Sequence, residues 1–107
     1  MARLHELLRF TKQQSASDLH LASGMEPRVR RHGALESVPG WSALAAAELA
    51  GLLREVVSAE QWAEFEGSGD LDFALGLTGV ARFRANYLRQ ENGASAVFRT
   101  IPEKIAT

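Results

Sequence analysis

The sequence predicts an α+β domain, an antiparallel sheet of five or six strands with helices packed on one of its faces. Three observations point there. Leucines recur at helical spacing near the N-terminus and again mid-chain. Strand-like runs of alternating apolar and polar residues occupy much of the rest. Those runs come in neighbouring pairs joined by short Gly-containing turns, which favours hairpins over crossover connections and leaves the helices to cover the apolar face.

Leu4, Leu7, Leu8 and Thr11 fall on one face of a helix predicted over Ala2–Gln14. Ser15-Ala16-Ser17 breaks it, and Asp18-Leu19-His20-Leu21 alternates as a strand. Pro27 opens a second extended run, Arg28–Arg31. His32-Gly33 then forms a tight turn, Ala34–Val38 returns, and Pro39-Gly40 ends the hairpin. Ser42 is the expected cap of a second helix, Leu44–Val57, with Leu49, Leu52, Leu53, Val56 and Val57 as its apolar stripe. Ser58-Ala59-Glu60-Gln61 has the form of a capping box and starts a short third helix with Trp62 and Phe65, closed by Gly67-Ser68-Gly69. Leu71, Phe73, Leu75 and Leu77 alternate with Asp72, Ala74 and Gly76 as a half-buried strand. A long hairpin follows, Val80–Leu88 and Ser95–Ile101 around Gln90-Glu91-Asn92-Gly93. Leu7, Leu49, Leu53 and Phe83 are expected to meet in the core.

Composition narrows the function. At 107 residues the chain has room for one core and not two. With 46% hydrophobic and 23% charged residues it has the make-up of an ordinary water-soluble domain. A net charge of −1 gives no support to bulk electrostatic binding of nucleic acid. The absence of cysteine excludes disulfides and thiolate metal sites. No apolar run approaches the ~20 residues of a membrane span, and the opening MARLHELLRF has no signal-peptide core. The expected compartment is therefore the cytoplasm, with no membrane insertion.

The candidate site lies on the long hairpin. Ala81, Phe83, Ala85 and Tyr87 share one strand face, and Arg82, Arg84 and Asn86 the other. A two-residue loop at Glu91-Asn92 sets Arg84 opposite Arg99; a loop at Asn92-Gly93 sets Asn86 there instead. Either way Phe98 and Ala96 join the apolar set, and the arginines collect on the opposite face. Clustered guanidinium groups repel unless neutralised, so the hairpin is a candidate anion site. The plainer alternative is loose pairing with Asp18, Glu36, Asp70 or Asp72. Asp18 and His20 make a poor metal pair without a third ligand, and His20 is expected to be satisfied by a neighbouring backbone group or carboxylate. His5 and His32 read as solvated, and Trp41 and Trp62 as packing residues.

Two segments, SASDLHLASGMEPRVRRHG and GDLDFALGLTGVARFRANYLRQENGASAVFRTIP, resemble the N-terminal domain of the PilT-type pilus-retraction ATPases of the secretion-ATPase superfamily. The resemblance implies a PAS-like domain over residues 1–102. Residues 103–107 then begin a linker to a RecA-like ATPase domain, the whole assembling as a homohexamer on the pilus machinery at the inner membrane. It implies ATP and Mg²⁺ for the full-length protein and no cofactor bound by this fragment alone. It implies phosphate contacts from Arg84 and Arg99, with Arg82 either near the nucleotide or a structural partner. A P-loop needs Gly-Lys-Ser/Thr, and neither Lys12 nor Lys104, the two lysines present, follows a glycine. By that mechanism this stretch is expected to be no enzyme, an excised domain or a truncated homologue. The alternatives are a freestanding PAS-like sensor with an internal ligand pocket and a plain protein-interaction module.

Overall fold

Three helices and six strands follow one another in the computed structural model as α1 (Arg3–Gln13), β1 (Asp18–Ala22), β2 (Arg28–Arg31), β3 (Ala34–Ser37), α2 (Ala46–Arg54), α3 (Ala59–Ser68), β4 (Asp70–Leu77), β5 (Ala81–Gln90) and β6 (Gly93–Ile101). The structure describes residues 3–102; the expected start of the first helix at Ala2 and the linker at 103–107 lie outside them. All neighbouring strands run antiparallel, in the order β3-β2-β1-β6-β5-β4. Because β3 and β4 sit at opposite edges, the α2–α3 pair carries the chain across the sheet. The α+β sheet with covering helices is as the sequence predicts.

One face of the sheet is dry. Leu19, Leu21 and Val29 continue through Phe98, Ala96, Phe83, Ala85, Tyr87 and Leu71, all buried together with Leu4, Leu7, Leu8, Leu49, Leu52 and Leu53 from the helices. The four residues expected to meet in the core, Leu7, Leu49, Leu53 and Phe83, are fully buried. Tyr87 is the hub: its ring meets Phe65, Phe73 and Phe98 edge-on at centroid distances of 5.8, 5.2 and 5.9 Å. Its hydroxyl donates to the Leu53 carbonyl at 2.9 Å. Burial, helped by the nearby Glu55 charge, holds the phenol well above its ordinary range, so it remains a donor.

The helix ends show where local signals hold. At α3, Ser58 Oγ accepts from the Gln61 N–H at 3.1 Å and Gln61 Oε1 accepts from the Ser58 N–H at 2.9 Å, the reciprocal pair that the sequence predicts. Gly69 closes the helix at φ +78°, and the Arg89 guanidinium donates to the Phe65 and Glu66 carbonyls. At α2 the sequence expectation fails. Ser42 does not cap it; the N-cap is Ala45, whose N–H donates to Glu48 Oε1 at 3.3 Å. Leu44 is withheld from the helix because its carbonyl accepts from Gly24 N–H at 2.6 Å and its N–H donates to Met25 at 3.0 Å. Those bonds bind residues before α2 to the β1–β2 connection. The helix also stops at Arg54, so Val56 and Val57 pack against the core from a turn and not from the helix face. Glu55, next in the chain, instead accepts from the Leu4 N–H at 2.8 Å and so satisfies an orphan donor at the start of α1.

The β5–β6 hairpin adopts the register with Gln90 opposite Gly93 and the loop at Glu91-Asn92. Gly93 takes φ +125°, a conformation that L side chains rarely adopt. A Cβ there would lie 2.5 Å from Ser23 Oγ and 3.1 Å from the Ala46 Cβ of α2. Ser23 cannot simply turn away, since its hydroxyl donates to the Ala94 carbonyl at 3.0 Å. Gly93→Ala is therefore expected to cost about 1–3 kcal/mol in urea unfolding, from overpacking and backbone strain together. A loss below a few tenths of a kcal/mol would show that the β6 start can shift freely.

Candidate anion-binding site

Opposite the core lies an open face of the sheet, and the register fixes what stands on it. One row across four strands reads Arg30 on β2, Asp18 on β1, Arg99 on β6 and Arg84 on β5. The next row reads Arg28, His20, Val97, Asn86 and Asp72. Arg82 and Ile101 pair beyond the first row, and Asp70 opposes Leu88 beyond the second. Five arginines, Arg28, Arg30, Arg82, Arg84 and Arg99, thus share a face with three aspartates, on a chain whose net charge is −1.

Arg84 and Arg99 are directly opposed, as the Glu91-Asn92 register requires. Like charges at such a pair, with Cβ atoms about 5 Å apart, destabilise unless something neutralises them. One carboxylate serves each. Arg99 Nε lies 3.3 Å from Asp18 Oδ1, and Arg84 Nη2 lies 3.3 Å from Asp72 Oδ2. Neither bond is short, and both arginine side chains stay largely in water, 72% exposed for Arg99 and 68% for Arg84. Among the described residues no other hydrogen bond leaves either guanidinium. The loose carboxylate pairing is therefore present in the geometry, and it leaves guanidinium donors over. The carboxylates hold the pair together without saturating it, and the remaining N–H donors can take an anion.

The supporting residues differ in kind. Asp18 is buried, with its side chain only 8% exposed, and its Oδ2 lies 3.7 Å from Arg30 Nε and from His20 Nε2. His20 meets its expectation only in part: its Nε2 is buried and makes no hydrogen bond among the described residues, and the Asp18 carboxylate reaches it at ion-pair distance alone. Sequence reading named Asp18 as one possible partner but gave no sign of its burial, which arises from strand pairing across 81 positions. Asn86 donates to Asp70 Oδ1 at 3.2 Å and Arg31 pairs with Glu36 at 3.2 Å, away from the opposed arginines. Arg82 is exposed and makes no ion pair among the described residues. With Lys12, it lines an open depression at the β4–β5 turn that does not include Arg84 or Arg99. Trp41 and Trp62 pack against the core, under Arg3 and Arg54 respectively, and His32 is exposed at φ +52° in its turn. The described residues hold no cluster that could bind a metal ion and no helix long and apolar enough to cross a membrane.

No protein-family model matches the chain. Among curated proteins it is 40% identical over 102 residues to the type IV pilus retraction ATPase PilT of Pseudomonas aeruginosa, covering 95% of this chain. It is 30% identical over 99 residues to a twitching motility protein of Neisseria gonorrhoeae, covering 92% of this chain and 26% of that protein. Its fold superposes on the crystal structure of the pilus retraction motor PilT with bound ADP at a TM-score of 0.88, with 30% identity, over 99% of this chain and 31% of the motor. The Legionella pneumophila ATPase DotB shares the fold alone, at a TM-score of 0.73 and 21% identity over 94% of this chain and 28% of DotB. The chain spans 29% of the length of the Pseudomonas retraction ATPase that it matches. Over that part the chain is a homologue of the PilT-type ATPases, and its six-stranded antiparallel sheet with helices matches the N-terminal domain of the PilT structure.

Proposed function

We propose that this homologue of the PilT-type ATPases serves as the non-catalytic N-terminal domain of a hexameric pilus-retraction motor, in which Arg84 and Arg99 contact the phosphates of a nucleotide held by the ATPase domain. One observation carries the reading: the two arginines are directly opposed on adjacent strands, each with a single carboxylate among the described residues and a side chain largely in water. Rigid strands fix such donors in advance, so they meet developing charge with little reorganisation. Planar guanidinium forks match phosphate oxygens better than a lysine would. ATP and Mg²⁺ then belong to the ATPase domain, and Arg82 stands at the edge of the nucleotide contact. The partners are the RecA-like domains of the same and neighbouring subunits, and beyond them the pilus machinery at the cytoplasmic face of the inner membrane.

The isolated chain tests this reading. Two arginines without the groups that grip the β- and γ-phosphates and Mg²⁺ supply charge and orientation but no chemistry. Calorimetry with ATP and Mg²⁺ is expected to give a dissociation constant weaker than about 1 mM, a few kcal/mol of binding. Phosphate release is expected at background. Micromolar affinity, or turnover by the chain alone, would remove the reading and return a ligand-binding sensor to first place.

A further inference from the structure

The two opposed arginines are not held alike. Arg84 gives a terminal nitrogen, Nη2, to Asp72, a carboxylate that is itself 56% exposed. Arg99 gives its Nε to Asp18, whose side chain is 8% exposed. The first contact occupies an atom that a phosphate fork needs. The second leaves both terminal nitrogens uncommitted among the described residues.

Asp18 is also the better anchor. It stands in register between Arg30 on one neighbouring strand and Arg99 on the other. Its Oδ1 faces Arg99, and its Oδ2 lies 3.7 Å from Arg30 Nε and from His20 Nε2. A carboxylate taken this far out of water is costly unless it stays paired, so it resists moving from its two arginines. An exposed Asp72 faces no such penalty and can release Arg84 to water.

We propose that Asp18 is a positioning residue, a buried carboxylate that grips Arg99 through Nε and presents the guanidinium's terminal edge as a preset fork for a phosphate, while Asp72 is an exchangeable latch on Arg84. The proposal deepens the phosphate-contact reading and rests on it. Electrostatics and positioning predict opposite signs for one substitution. Removing a negative charge beside an anion site strengthens anion binding on Coulombic grounds alone. Removing a positioning carboxylate weakens it, because the anion must then immobilise a long side chain itself.

The probe is inorganic pyrophosphate titrated into this 107-residue chain, followed by the arginine side-chain Nε–Hε resonances in NMR. The Arg99 Nε–Hε is expected to exchange with water more slowly than that of Arg82, which has no such partner among the described residues. Asp18→Asn is expected to abolish that protection and to weaken pyrophosphate binding roughly 2- to 10-fold, the worth of ordering one long side chain. Asp72→Asn is expected to bind equally well or more tightly. Binding by folded Asp18→Asn as tight as that of the parent chain overturns the proposal. So does an Arg99 Nε–Hε that exchanges as fast as that of Arg82, a result that needs no variant and stands even if Asp18→Asn does not fold. Should the parent chain show no pyrophosphate-dependent shift of either arginine, the phosphate reading falls. The Nε exchange rate then decides separately whether Asp18 holds Arg99.

Discussion

Replacing Arg99 or Arg84 by alanine in a full-length ATPase carrying this domain is expected to lower ATP turnover by roughly 10- to 1000-fold, the usual consequence of losing one preorganised donor to developing charge. The loss should appear in kcat with the P-loop intact. A lysine at either position should recover only part of it, because an ammonium keeps the charge and loses the planar fork. Effects on folding should separate the two residues. Arg84 and Asp72 form an exposed pair, so Arg84→Ala should change stability by less than about 1 kcal/mol. Arg99→Ala strips the nearer of two arginines from a carboxylate that is 8% exposed. It should therefore cost about 1–2 kcal/mol more, the penalty of an under-satisfied buried charge. Thermal melts beside single-turnover rates distinguish lost catalysis from lost fold. Normal turnover in a well-folded variant would end the phosphate role of that arginine.

The hairpin bearing these residues was legible in sequence up to one ambiguity, and the ambiguity has a physical origin. The two candidate registers differ by a slip of two residues, and a slip of two keeps every side chain on its own face. Alternation of Phe83, Ala85 and Tyr87 against the arginines could not choose between them. The tertiary structure chooses: Gly93 is the residue in the positive-φ conformation, wedged against Ser23 and Ala46, while Asn92 is not among the positive-φ residues. The strands, the three helices and the α3 capping box were equally local and equally readable. The true start of α2 was not, because the bonds that hold Leu44 out of the helix come from Gly24 and Met25. Asp18 shows the same limit. Its residue type and position were visible, but its burial and its two arginines depend on how β1 sits between β2 and β6. Face and period belong to neighbours in sequence. Orientation and charge balance at the site belong to neighbours in space.

Leu53→Ala is expected to cost about 2–5 kcal/mol, the range for emptying a fully buried leucine site. Leu53 is 0% exposed on the inner face of α2, in the same core cluster as Phe83, Tyr87 and Phe98. Its carbonyl also receives the Tyr87 hydroxyl at 2.9 Å, so α2 is tied to β5 by a backbone acceptor and a buried side chain at one position. That polar tie restricts how far α2 can settle into the space left by truncation, which favours the upper half of the range. Val57→Ala supplies the comparison. The sequence stripe runs from Leu49 through Val57 as if all five apolar residues were equivalent, yet Val57 lies beyond the end of α2 and is only partly buried. Its truncation should cost no more than about 1 kcal/mol, since fewer methyl groups leave water-free surroundings. Urea midpoints for the two variants should fall in that order with unchanged m-values, as expected when the native state loses contacts without changing what unfolding exposes. Equal losses would mean that the helix continues to Val57 in solution. A Leu53→Ala loss below about 1 kcal/mol would mean that α2 is not part of the core that holds the arginine hairpin rigid.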